Sequence, residues 1–234
     1  MKRLICLVLA LAITVSMFCG CGFSIDPSIN YLQGKYNTKF KIISSNNAKT
    51  YCSPIENEKI IFEVTKNNKN FSDSYISRKI SYELDNCFCS AMQAFNVAAV
   101  SYSMPINTTD SGENDTSISL KEYIEKYKPD GFFVYLAIDN NVITSETVDN
   151  LADSIEIVLK QIEKPITVCG FIVGDFFQCS ESIKKCSDMS STWFYNYDVK
   201  DTFSATVSPG NSIESLEMLK NNILERKTGI SSRR

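Results

Sequence analysis

GFFVYLAI (Gly131 to Ile138) and ITVCGFIV (Ile166 to Val173) are apolar at odd and even positions alike, so neither face of these strands is suited to water. Strands of this kind sit in the middle of a sheet that is covered on both sides. Between them, Val148, Leu151, Ile155, Val158, Leu159 and Ile162 recur at spacings of three and four, which predicts a helix over about Ser145 to Lys164. Only Pro165 separates that helix from the second strand. Strand, five-turn helix and strand make a βαβ crossover, which brings the two strands parallel with a right-handed connection.

Working outward, a short helix around Ser180 to Met189, a strand WFYNYDV (Trp193 to Val199), a strand FSATV (Phe203 to Val207) and a helix from Ile213 to about Arg226 complete the C-terminal side. On the N-terminal side, Asp26-Pro27 is an N-cap followed by proline at the first helical position, opening a helix that ends near Gly34. KFKIISS (Lys39 to Ser45) and KIIFEVTK (Lys59 to Lys66) read as strands, with a further short one around Thr50 to Ser53. Ile76, Ile80, Leu84, Cys87, Phe88, Ala91, Met92 and Phe95 form one continuous apolar stripe, which predicts a long helix from about Asp73 to Phe95, and VAAVSYS (Val97 to Ser103) returns as a strand. Ser119 and Glu122 have the spacing of a capping box and open a helix to about Lys128. The fold class is therefore α/β or α+β: a mixed sheet with a βαβ unit in the C-terminal half and amphipathic helices packed on it. The boundaries are a leader over 1–20, a tether over 21–27, an N-terminal α/β half over 28–103, a polar linker over 104–118 and a C-terminal α/β half over 119–234.

The leader rests on the first residues. Lys2 and Arg3 precede fifteen uncharged residues, Leu4 to Phe18, too few for the roughly 20 that cross a bilayer but right for an export signal. The run ends in MFCGC, residues 17 to 21. It resembles the end of a bacterial lipoprotein signal, with Phe18 as the apolar position, Gly20 as the small one and Cys21 as the modified residue. Phe18 and Cys19 depart from the residues usual at their positions, and choosing Cys19 instead would set bulky Phe18 directly before the cut. The resemblance implies that Cys21 carries a diacylglyceryl group, that its amine is acylated, and that the chain is anchored at the extracytoplasmic face of the cell membrane. Two or three acyl chains suffice for stable attachment. The whole chain resembles the uncharacterised exported lipoproteins of low-GC Gram-positive bacteria, through Tyr31, Leu32, Lys35 and Tyr36 and through Phe62 to Val64. That resemblance implies location and carries no catalytic residue.

Composition narrows the chemistry. With 24 basic and 27 acidic side chains the net charge is −3, and loss of Lys2 and Arg3 with the leader takes it to −5. Mild acidity argues against a nucleic-acid partner, which needs a clustered basic surface. The tail Arg226 to Arg234 reads as a solvated end despite its four positive charges. The chain contains no histidine, which excludes Ser-His-Asp triads, Cys-His dyads and histidine-ligated metals.

Cys52, Cys87, Cys89, Cys169, Cys179 and Cys186 remain after the leader and Cys21 are set aside, enough for up to three disulfides in 15 pairings or for buried thiols in a poorly oxidising host. A zinc site from Cys87, Cys89, Cys179 and Cys186 is disfavoured, because C-x-C on a helix points its sulfurs about 200° apart. Asp110, Glu113 and Asp115 lack the spacing of a calcium loop and read as solvated linker. No cofactor or metal is expected.

Two features suggest binding. Trp193, Tyr195 and Tyr197 alternate, which places three rings on one side of a strand, suited to stacking on a sugar or receiving a peptide and equally to packing under the last helix. Asp139, Asp175 and Asp198 fall at or near strand ends. The functional expectation is a lipid-anchored extracytoplasmic binding or interaction protein without enzymatic activity, with a protein or glycan partner in the cell envelope. The alternative is a histidine-free cell-envelope hydrolase using paired carboxylates. GFIVGD (Gly170 to Asp175) lacks the glycine spacing and lysine of phosphate loops, so its glycines are expected to relieve crowding.

Overall fold

Asp26 opens the first helix, α1 (Pro27–Tyr36), by accepting from the Ser28 N–H at 2.8 Å, and Asn37 closes it in the left-handed conformation at φ 51°. The helix therefore outlasts Gly34 by half a turn. The structure is a computed structural model that describes residues 26–46, 49–68, 70–94, 99–108, 112–183 and 191–227. The leader, Cys21 and Cys186 lie outside the described residues.

Four antiparallel strands follow as sheet A in the order β1 (Phe40–Ser45), β2 (Lys49–Pro54), β3 (Phe62–Asn67) and β4 (Asn70–Asp73). Strand β4 has no counterpart in the sequence reading, because NFSD is short and polar. Ile42 pairs with Cys52 and Ser44 with Tyr51, so Ile43 sits in a bulge on the edge strand. The long helix α2 (Tyr75–Ala94) then leads into β5 (Ala99–Ile106), which begins sheet B in the order β5, β6 (Gly131–Asp139), β7 (Ile166–Val173) and β8 (Val199–Val207). Strands β6 and β7 are parallel, with Phe132 opposite Ile166 and Asp139 opposite Val173, and the outer two are antiparallel to them. The mixed sheet with its βαβ unit and amphipathic helices is as the apolar runs require.

Helix α3 (Leu120–Tyr127) begins at the capping box: Ser119 Oγ accepts from Glu122 N–H, and Glu122 accepts from Ser119 N–H at 2.9 Å. Helix α4 (Ser145–Ile162) is the crossover, and its stripe from Val148 to Ile162 is buried. With α2 and α6 (Ser212–Lys227) it covers one face of sheet B, over Phe132, Val134, Leu136, Val168 and Phe203. Burying one such side chain contributes about 1.5–3 kcal/mol. Gly170 faces this layer, where an added Cβ would lie 1.8 Å from the Phe203 ring, so the glycine does relieve crowding. Helix α5 (Phe176–Ile183) and the 3-10 turn Ser191–Asn196 cover the opposite face, over Tyr135, Phe171 and Val173.

The same buried cluster that fills the first face of sheet B continues through α2 to Phe40, Phe62 and Val64 of sheet A. Arg78 of α2 is buried at this junction, donating to the carbonyls of Ile61 at 3.4 Å and Ser103 at 3.3 Å, with its guanidinium 4.0 Å from the centre of the Tyr102 ring.

Four readings are corrected. WFYNYDV is not a strand: residues through Asn196 wind into the 3-10 turn, and β8 starts only at Val199 and takes in FSATV. The helix expected at Ser180 begins four residues earlier, at Phe176. Strand β5 runs to Ile106, three residues into the segment read as linker. Glu113 in that segment is buried. In the basic tail Arg226 and Lys227 are exposed, Arg226 pairing with Asp201 at 3.1 Å and Lys227 donating to the Asn140 carbonyl at 2.5 Å.

Candidate functional site

Asp139 ends β6, Asp175 follows β7 by two residues, and Asp198 immediately precedes β8. Because β6 and β7 are parallel and β8 is antiparallel to β7, all three positions come to one end of sheet B. At that end the chain leaving β6 passes to the α4 face, while the chain leaving β7 passes to the α5 face. Two parallel neighbours whose connections part to opposite faces leave a crevice at their carboxyl ends, the usual place for a ligand in open α/β sheets.

The three aspartates at this sheet end have defined surroundings. Asp139 Oδ1 accepts from the backbone and side-chain nitrogens of Asn141 at 2.9 and 3.0 Å. Asp198, at φ 51°, is anchored by the Gly174 N–H, which donates to its carbonyl at 3.0 Å. Its carboxylate lies over Gly174, where a Cβ would fall 2.2 Å from Oδ2, and it pairs with Lys200 at 2.7 Å. Asp175 is exposed, and its carboxylate has no partner among the described residues. Its N–H donates to the Tyr197 carbonyl at 3.5 Å, which ties the aspartates to the aromatic segment.

That segment is placed differently from the alternating row. Phe194, the residue between the expected rings, is fully buried and stacks on Phe171 at 3.9 Å. Trp193 and Tyr197, four residues apart, meet at 4.7 Å between ring centres, both half-buried, while Tyr195 is turned out and 64% exposed. Phe177 on α5 is also exposed. The site is therefore a rim of partly open rings beside carboxylates, with Trp193 and Tyr197 on one flank and Tyr195 apart from them. Phe177 was missed because nothing in its sequence position separates an exposed phenylalanine from a core one.

A second concentration of carboxylates lies on sheet A, where Glu63, Thr65, Ser72, Asp73 and Ser74 line a shallow depression of about 270 Å³. Val64 pairs with Asp73, so strand alternation puts Glu63 and Asp73 on opposite faces. The Asp73 side chain is fully buried and accepts from Tyr31 Oη at 2.8 Å, Lys35 Nζ at 2.9 Å, Tyr36 Oη at 2.6 Å and the Tyr75 N–H at 3.0 Å. Burial and then the Asp73 carboxylate push the Tyr31 phenol well above its usual range. Tyr31, Lys35 and Tyr36 of α1 thus converge on one carboxylate. Glu63 has a different role: burial opposes its ionisation, but hydrogen bonds from Lys49 and Thr65 outweigh it and hold the carboxyl below its ordinary value.

Glu113 accepts from Lys126 and Tyr127 at 2.5 and 2.6 Å and from two backbone N–H groups, those of Asn114 and Asp115. Burial alone would raise its pKa, but these bonds prevail and lower it to about 2. Among the described residues no three Cys, Asp or Glu side chains are placed to hold a metal ion. Cys52, Cys87, Cys169 and Cys179 are free thiols, and burial pushes Cys52 and Cys179 up to about 12.

No family model matches the chain, and no curated protein matches it. Among solved structures, the fold is similar to that of a DUF5037 family protein from Ruminococcus gnavus, with a TM-score of 0.56 and 16% identity over 86% of this chain and 97% of that one. At that identity the likeness shows the shared mixed α+β fold and nothing of the ligand.

Proposed function

We propose that the protein is a lipid-anchored extracytoplasmic binding protein that takes a glycan of the cell envelope in the carboxyl-end crevice of sheet B. The observation that carries this reading is the gathering of Asp139, Asp175 and Asp198 with Trp193 and Tyr197 where the connections of β6 and β7 part, with Tyr195 exposed on the same 3-10 turn. Aspartate oxygens accept from sugar hydroxyls, and aromatic faces receive the apolar side of a pyranose ring. Asp139 and Asp198 are oriented by Asn141, Gly174 and Lys200, so their lining is set before a ligand arrives.

Trp193 is the sole tryptophan, which makes it a reporter. Soluble saccharides released from cell wall should change its emission on titration, and Tyr195→Ala with Asp175→Asn should weaken that response at least tenfold. A calorimetric titration without heat, together with unchanged emission, overturns the glycan assignment. Release of new reducing ends favours the paired-carboxylate hydrolase instead. The anchor is tested separately: Cys21→Ser should abolish lipid labelling and move the protein from membranes to the medium, and unchanged labelling overturns it.

A further inference from the structure

We infer that the outer half of β1, around Ile42 and Ile43, is the surface that lies against the lipid interface, so that the crevice of sheet B is presented at the far end of the molecule. The inference rests on the reading of Cys21 as the lipid-bearing residue.

The tether is short. From Cys21 to the cap at Asp26 there are five peptide steps, which span at most about 18 Å whatever their course. The point where the chain joins the fold therefore stays close to the bilayer. That point can be located: α1 is joined to β1 by three residues only, so the two run back to back, with Tyr36 beside Phe40 at the joined end. A ten-residue helix covers about 15 Å, which sets Asp26 about that far from the joined end, with Tyr31 and Lys35 between reaching across the sheet to Asp73 of β4. The charge of Asp26 accordingly adds to the burial that raises the Cys52 thiol, and Cys52 is the cross-strand partner of Ile42.

The surface at this point fits lipid. Ile42 and Ile43 are 38% and 44% exposed, and Ser44, Ser45 and Asn46 after them are exposed and uncharged. The run Lys39 to Asn46 contains two lysines and no acidic residue; Lys41 pairs with Glu58 at 2.6 Å, which leaves Lys39 as the charge offered to an anionic headgroup layer. The bulge at Ile43 also interrupts the edge that a second copy would need for strand pairing. A bilayer needs no such register.

The opposite end is held away by α2. It starts with Tyr75 packed on Tyr36, Phe40 and Phe62 of the sheet A side. Ala99 of β5 pairs with Ile138, so the helix ends toward the crevice end of sheet B. Twenty residues of helix give a separation of about 30 Å.

The test uses the full lipidated protein in vesicles containing phosphatidylglycerol and a lipid with a nitroxide on its headgroup. Ile43→Trp should add emission that the nitroxide quenches, while the emission of Trp193 in the native protein stays unquenched. Ile42→Trp repeats the measurement should the first variant fail to fold. Unquenched added emission, quenching of Trp193, or a dimer that shields the added ring overturns the inference. The mass of the N-terminal peptide from the same sample separates the failures: acylated Cys21 with unquenched emission leaves the anchor standing, and unmodified Cys21 removes both.

Discussion

Asp73 and Asp175 are both aspartates beside aromatic rings, one in sheet A and one at the end of sheet B, and they have opposite surroundings. The Asp73 side chain is fully buried and receives four donors, three of them from the side chains of α1. Asp175 is exposed, with its carboxylate facing no donor among the described residues. A buried carboxylate whose acceptor sites are filled has nothing left to offer a ligand, and removing it strands its partners. An open one contributes little to stability and keeps its full capacity for something else. The difference separates the part of the molecule that fastens the N-terminal helix from the part suited to recognition.

Asp73→Ala should produce the largest effect. It removes the carboxylate that Lys35, 15% exposed, and the hydroxyls of Tyr31 and Tyr36 all bond to, so the loss should be about 3–5 kcal/mol in urea unfolding. A loss below about 1 kcal/mol would show that the clasp is incidental. Gly170→Ala should come next, costing about 1–3 kcal/mol because the new methyl meets the Phe203 ring, and Phe203→Leu in the same chain should recover part of it.

Glu113→Gln tests a carboxylate of the Asp73 kind in a loop. Its folded pKa of about 2 lies below the ordinary value of about 4.3. Its contribution is therefore complete above about pH 4.3 and lost as pH falls through about 2; discounted for the exposed Lys126 partner, it amounts to about 1–3 kcal/mol. Unfolding followed from pH 6 to pH 2 should show the variant less stable at neutral pH and the two proteins converging in acid. A constant difference across that range would contradict the assignment. Asp175→Asn should have the smallest effect, within about 0.5 kcal/mol, and a larger loss would move Asp175 to the structural side of the comparison.

What the sequence made legible follows the same division. Short-range signals read correctly: the Asp26-Pro27 start, the Ser119 and Glu122 capping box, the α4 stripe and the two apolar strands of sheet B all act within a few residues. The Asp73 clasp joins residues 37 to 42 positions apart, so no local pattern announces it. Glu113 sits in a polar run whose composition is that of solvent-facing chain, and only its distant partners bury it. Trp193, Tyr195 and Tyr197 alternate like a strand, but the Tyr197 N–H bonds to the Phe194 carbonyl three residues back, and Phe194 takes the buried place against Phe171. Alternation was real and did not decide the backbone, because the ring between the expected ones had the better partner. The three aspartates were legible as strand ends, while their gathering at one end required the parallel pairing of β6 and β7 and the return of β8.

Cys52 and Cys179 carry a consequence for chemistry over time. Burial pushes both up to about 12, so at pH 7 each is held as the protonated thiol. Only the thiolate attacks disulfides or peroxides at useful rates, so these two sulfurs are kinetically silent while the chain stays folded. The core they help to fill keeps its composition whether the surrounding compartment is oxidising or reducing.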